Sequence, residues 1–155
     1  MYDLTNQLIL GPRPKLKAIP MLGVDCVFTL LMPAEQPLGI EIAVSKVGLA
    51  WLWHPLTIRA SELSPWEQWA EAVDSLELAL TCGWRVYLHC AAGIHRTGCL
   101  TYLLLRERGA NMREAAETVY RLRPVICTEI GDKFEVVESL RRLYVEAAQA
   151  KLDKP

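Results

Sequence analysis

The chain carries little that would tie it to a membrane, to nucleic acid or to a structural metal. No apolar run reaches the roughly 18 to 20 residues of a spanning helix, and Met1-Tyr2-Asp3-Leu4-Thr5-Asn6 lacks the basic and apolar regions of a signal peptide. No membrane partner is therefore expected. Charge of one sign is missing too: Lys and Arg total 17 against 18 Asp and Glu, a net charge of −1. That balance gives no bulk attraction to nucleic acid or anionic lipid, so any positive field must be local. The five cysteines, at 26, 82, 90, 99 and 127, are odd in number and show no CxxC or Cys/His metal spacing. No metal or cofactor is expected, and a reducing cytoplasm is the simplest setting. Repeats, low-complexity segments and linkers are absent as well. The 155 residues predict one domain over 1–150, with a frayed tail at 151–155.

What is present centres on one stretch, Arg85-Val86-Tyr87-Leu88-His89-Cys90-Ala91-Ala92-Gly93-Ile94-His95-Arg96-Thr97-Gly98. Val86, Tyr87 and Leu88 suit a buried strand. Ala91, Ala92 and Gly93 have almost no side chain, so their backbone amides can approach a ligand closely. The apolar run from Cys99 to Leu105 then continues as a buried helix that begins near Arg96. Inward amides capped by a helix N-terminus form an anion site, with phosphate the natural guest of residues 91–96. A cysteine at that helix end beside an arginine has its thiol pKa lowered from about 8.5 into the range of roughly 3.5 to 7.5. Cys90 is thus a candidate nucleophile, and Arg96 offers a planar fork for two phosphate oxygens. The Thr97 hydroxyl is placed to hydrogen-bond the thiolate and help it leave. His89 reads as a buttress behind the loop, since a thiolate needs no base.

His-Cys, five residues, Arg, Thr, with Gly three after the Cys, resembles the signature loop of the cysteine-dependent protein tyrosine phosphatase superfamily. The likeness is nearest to its compact dual-specificity branch. A Leu-Gly strand at residues 8–11, a short helix or irregular connection over 15–21, and a Gly-x-x-x-Val strand over 23–31 follow the same order as that branch. Further along, Pro37 and Gly39 open a helix to Lys46 with Ile40, Val44 and Val47 as its apolar stripe. Residues 49–55 read as a strand. Ser64-Pro65-Trp66-Glu67 predicts a capping box for a helix to about Thr81 that buries Trp66, Trp69, Val73, Leu76 and Leu80. A helix over 112–122 turns Ala115, Ala116 and Val119 inward and is closed by Arg123-Pro124, as in the family. A last helix over 130–150 turns Phe134, Val137, Leu140 and Tyr144 inward. The predicted fold is α/β, a central mainly parallel sheet of about four or five strands with helices on both faces and the nucleophile at a strand's C-terminal end.

One element of the resemblance is missing. The family carries a general acid as an Asp in a Pro-hydrophobic-x-Asp pattern, which would fall at position 58, and the chain reads Pro55-Leu56-Thr57-Ile58-Arg59. General acid catalysis is worth about 10²- to 10⁴-fold. Glu62, the one carboxylate between Pro55 and the next helix, is a candidate from a rebuilt loop. Asp132 or Glu129 could swing over the pocket instead, or no acid exists. His95 adds a donor for an anionic substrate or points to solvent, and Arg59 adds positive charge at the rim or is only solvated.

The resemblance implies hydrolysis of phosphate monoesters through a Cys90 phosphocysteine. The partner is a phosphorylated protein (phosphotyrosine and phosphoserine/threonine) or a small phosphorylated molecule. Rival readings are a catalytically weak or inactive phosphate-binding module, favoured by the missing Asp and disfavoured by the retained Cys90 and Arg96, a phosphatase of a small phosphorylated metabolite, and a lipid or inositol phosphatase, disfavoured by a loop without lysines.

Overall fold

The computed structural model describes residues 3–155. Four short strands, β1 (Leu8–Gly11), β2 (Cys26–Thr29), β3 (Ala50–Trp53) and β4 (Val86–His89), form one sheet in the order β1-β4-β2-β3, every neighbouring pair parallel. The helices are α1 (Leu38–Lys46), α2 (Trp66–Thr81), α3 (His95–Glu107), α4 (Met112–Leu122), α5 (Val125–Glu129) and α6 (Lys133–Leu152). Two short 3-10 turns, Leu16–Met21 and Pro33–Glu35, lie between the early strands. Among the described residues no helix is long and apolar enough to cross a membrane.

The period-2 alternation of the strands divides the core in two. Leu8 and Leu10, Cys26 and Phe28, and Val86 and Leu88 face one layer with α2, α3, α4 and α6. Ile9, Val27 and Tyr87 face the other, where α1 contributes Ile40 and Val44 and the first 3-10 turn contributes Ile19. A parallel strand covered on both faces reads as a continuous apolar run, which is why Val86-Tyr87-Leu88 was legible as the centre of the sheet. β4 sits between β1 and β2, and its C-terminal end opens at the crevice where such sheets bind ligands.

Several expected elements have different bounds. The strand expected over 23–31 is confined to Cys26–Thr29, and of the two alternatives for 15–21 the short helix holds, as a 3-10 turn over Leu16–Met21. The capping box at Ser64–Glu67 does not form: Pro65 is the N-cap, and the Ser64 hydroxyl instead accepts the Thr57 amide at 2.9 Å. Val47 lies outside α1 and is largely exposed, so the α1 stripe ends at Val44, and Ala116 is only partly buried. The helix expected over 130–150 begins only at Lys133, and a short helix not expected, α5, precedes it. α5 follows Pro124 directly, Gly131 turns the chain, and α6 runs on through Leu152, past the expected start of a frayed tail. Tyr144 is half exposed and lies against Trp66 at 5.8 Å rather than in the core, because α6 leaves the body of the protein after its first turns.

α6 is fastened to α3 by a charged cluster as well as by Phe134 and Val137. Glu138, 2% exposed, accepts from Arg106 at 2.7 Å and from the Tyr102 hydroxyl at 3.0 Å. Burial alone would raise the Glu138 carboxyl, but the bonds from Arg106 and Tyr102 reverse the direction and hold it below its ordinary value. Its stabilisation is therefore present above the ordinary carboxylate range and is lost as pH falls through the lowered value. Glu138→Ala leaves Arg106 partly buried without its counter-charge and should cost about 3 kcal/mol in urea unfolding at neutral pH. The deficit should shrink at acid pH, and an equal deficit at every pH would remove the carboxylate from the account.

Candidate active site

β4 delivers Cys90 to the floor of a cleft of about 360 Å³. The loop from Cys90 to Ile94 has its oxygens turned outward and fastened. The Arg13 amide donates to Ala91 O at 2.9 Å, and the Arg123 guanidinium donates to Gly93 O at 2.8 Å and Ala92 O at 3.2 Å. Gly93 has φ +68°, and a Cβ there would lie 2.1 Å from Gly11 O, so only glycine fits between this loop and the end of β1. Among the described residues, the amides of residues 91–94 donate to no backbone carbonyl. Together with the N-terminus of α3 they form a nest of unpaired N–H groups around the sulfur, the arrangement an anion requires.

Cys90 is buried, which alone would push its thiol up. The Thr97 hydroxyl, 3.2 Å from the sulfur, the Thr97 and Ile94 amides and the Arg96 charge outweigh that cost and bring it below the ordinary thiol value. The other cysteines differ. Burial pushes Cys26 up to about 12 and Cys99 well above its usual value, so they are inert thiols.

Behind the loop, His89 is fully buried and its pKa is pushed down to about 4, chiefly by burial, so the ring is neutral at physiological pH. Its Nδ1 lies 2.9 Å from Cys90 O, an acceptor only, which assigns the proton to Nδ1. Nε2 therefore accepts from the Thr29 hydroxyl at 2.8 Å, and Thr29 Oγ1 accepts from the Trp51 indole at 2.8 Å. This relay from β3 through β2 to β4 fixes one tautomer and one orientation of the Cys90 carbonyl.

Arg96 is held from an unexpected side. Glu35 takes it bidentately, with Nη1 at 2.7 Å and Nη2 at 2.9 Å, and Leu30 O and Leu56 O also accept from Nη1 at 3.3 and 3.2 Å. Glu35 is itself anchored by accepting the Met32 amide at 2.7 Å, and the Arg96 fork keeps its carboxyl below the ordinary value. Of the five guanidinium donors, Nε–H and one N–H of Nη2 remain for a ligand.

No family model matches the sequence. Dual specificity protein phosphatase 1-B of Xenopus laevis is 30% identical over 97 residues, which are 61% of this chain and 26% of that protein. The chain thus spans about a quarter of the length of this curated relative. The crystal structure of Tk-PTP in the active form superposes with a TM-score of 0.74 at 25% identity, covering 92% of this chain and 99% of that one. PTPMT1 superposes at 0.73 with 20% identity over 95% and 98% of the two chains. In sequence and fold the chain is similar to compact, dual-specificity-like phosphatases of the cysteine-dependent protein tyrosine phosphatase superfamily.

The position that holds a general acid in such phosphatases differs in this chain. Ile58, where the family's Asp was expected, lines the cleft and is 8% exposed, packing also on the core. Two carboxylates line the cleft, Glu35 and Glu62, and Glu35 is committed to Arg96. Neither Glu129 nor Asp132 lines it; the Glu129 carbonyl accepts from His95 Nε2 at 2.9 Å, and Asp132 is the N-cap of α6. That bond ties the His95 ring to the end of α5, leaving its backbone amide at the head of α3. Arg59 stands on the rim without an ion pair among the described residues.

Glu35, Arg123, Thr29 and Trp51 escape a reading of the loop alone. The available signals are a polar Thr at the end of an otherwise apolar strand and an acidic residue one turn beyond it.

Because the folded chain refuses the His89 proton that the unfolded chain accepts near pH 6.5, stability should fall as pH drops from about 6.5 towards 4. A ¹⁵N NMR titration should show His89 protonated at Nδ1 alone down to about pH 5. Protonation with a midpoint near 6.5 would remove the relay. Thr29→Val should weaken it, raising the population of the other tautomer.

Proposed function

We propose that the protein hydrolyses phosphate monoesters, among them phosphotyrosine and phosphoserine or phosphothreonine in proteins, through a phosphocysteine intermediate. The observation that carries this reading is a thiol with lowered pKa on the floor of a cleft, ringed by unpaired amides and overlooked by two free donors of an immobilised arginine. In the first step Cys90 Sγ attacks phosphorus while the ester P–O bond breaks. The amides of Ala91, Ala92, Gly93, Ile94 and His95, with Arg96, hold the phosphoryl oxygens as charge builds on them. In the second step water displaces sulfur from phosphorus, and the Thr97 hydroxyl stabilises the departing thiolate. His89 acts on the loop from behind and stays neutral.

Glu62 is the acid in this reading. It lines the cleft, it is not bound to Arg96, and its loop is closed at the base by Thr57 and Ser64, which exchange two hydrogen bonds. A protonated Glu62 gives its proton to the leaving oxygen, and the carboxylate then takes one from the attacking water.

Cys90→Ser should abolish turnover and retain phosphate binding, since a serine hydroxyl is not ionised near neutral pH. Arg96→Lys should lower kcat/KM by about 10²-fold or more, because a point charge cannot replace the fork. Substantial phosphate release from either variant would falsify the assigned roles.

The acid is tested by leaving group. Glu62→Gln should slow phenyl phosphate by about 10²-fold or more while sparing p-nitrophenyl phosphate, whose anion departs without a proton. The basic limb of the pH–rate profile should flatten in the same variant. If both substrates and both limbs are unchanged, Glu62 is a rim charge only. A wild type that turns over nitrophenyl phosphate but barely touches phenyl phosphate would favour an enzyme, or a phosphate-binding module, without an acid.

A further inference from the structure

The face built by α1 and the 3-10 turn Leu16–Met21 contributes nothing to the cleft. With Ile40 and Val44 against the sheet, about 3.6 residues per turn place Leu38, Ile42 and Lys46 in a line on the opposite side of α1. Leu38 is 56% exposed and Ile42 57%. Leu16, 48% exposed, stands beside this line, its Cδ1 3.7 Å from where a Gly39 Cβ would be, and Met21 at the end of its turn is 81% exposed. Apolar side chains gathered this way on an outer surface mark an interaction site.

Four of the charges around them are positive. Arg13, Lys15, Lys17 and Lys46 are all exposed, and among the described residues none of them makes an ion pair. Elsewhere Arg96, Arg106, Arg108, Arg113, Lys133 and Arg141 form ion pairs, while Arg59, Arg85, Arg121, Arg123, Arg142, Lys151 and Lys154 form none among the described residues. Glu41 is the one acidic residue of α1. The face is strongly basic in a chain whose net charge is −1.

We propose that this face docks on an anionic phospholipid bilayer. The apolar side chains enter the boundary between headgroups and acyl chains, and the lysine stems follow them while their ammonium groups stay at the level of the lipid phosphates. Unpaired cations of one sign around a small apolar centre are complementary to such a surface, which offers negative charge everywhere and asks for no shape match. The bilayer would lie beside the cleft. The 3-10 turn Pro33–Glu35 separates the two, with Ala34 lining the cleft and Pro33 lining a shallow cavity shared with Arg13 and Leu38.

The test is co-sedimentation of the full chain with vesicles of phosphatidylcholine alone or with about 30 mol % phosphatidylserine. Binding is expected on the anionic vesicles only, and should be largely released by about 0.5 M salt. The double variant Lys15→Glu with Lys17→Glu should weaken partitioning about 30-fold or more, and Ile42→Asp about tenfold or more. Leu78→Asp, at a position 65% exposed on α2 across the sheet, is the control and should bind as wild type does. Circular dichroism establishes that each variant is folded, and the two lysine positions keep the test open should Ile42→Asp fail to fold. Absence of binding to anionic vesicles, equal binding to neutral ones, binding that survives the charge reversals, or an equal loss in Leu78→Asp would each overturn the proposal.

Discussion

The site depends on the direction of three peptide planes. A peptide group that turns its oxygen out turns its N–H in, so the carbonyls of Ala91, Ala92 and Gly93 decide whether the loop presents donors or acceptors to the sulfur. Each is claimed from outside: Ala91 by the Arg13 amide, Ala92 and Gly93 by the Arg123 guanidinium. Inward-pointing oxygens would repel both a thiolate and a phosphate. The outward bonds therefore act at a distance on the acidity of Cys90, and the lowered thiol and the anion nest are two results of one backbone arrangement. Gly93 is the hinge of that arrangement, since any side chain there would strike the backbone of Gly11.

The buried charges show a matching economy. Cys90 and Arg96 must stay ionised in a partly dry cleft, and each has hydrogen bonds that favour its charged form. His89, directly behind them, must stay neutral, because a cation there would add to the charge of Arg13 and Arg96 without a counter-ion. Burial achieves this, and Thr29 with Trp51 assigns the tautomer. Tautomer and charge are thus set from β2 and β3, while the nucleophile hangs from β4.

Much of this was legible from the residues. The strand before Cys90, the small loop and the apolar helix follow one another without interruption, so local propensity and tertiary position agree. The same holds for α4, whose closing Arg123-Pro124 is a local signal. What stayed hidden depends on contacts across the chain. Glu35 lies 61 residues from Arg96, and only the folding of β2 beside β4 brings them together. Ser64 looked like a helix cap because caps are read from neighbours, yet its hydroxyl serves Thr57 across a loop. The short α5 stayed hidden because five residues between Pro124 and Gly131 are too few to show a helical period. Charge was misleading in another way: a whole-chain balance of −1 averages the basic face of α1 against acidic surface elsewhere.

The loop after β3 puts an apolar side chain where the family places its acid. Leu56 and Ile58 both pack on the core, Ile58 lining the cleft as well, and Thr57 is pinned to Ser64 by bonds in both directions. Position 58 thus faces the site with a group that can neither give nor take a proton. The loop is thus closed at its base and projects only from Arg59 to Leu63. Any acid it supplies must come from that tip, where Glu62 is the one candidate and Arg59, three residues before it, faces the same cleft. A tip that offers one acid and one base beside the mouth gives the rim a polarity that the floor lacks. The floor, with its amides and Arg96, is built for an oxyanion of any attached group, and the side chains that differ in charge lie at the rim.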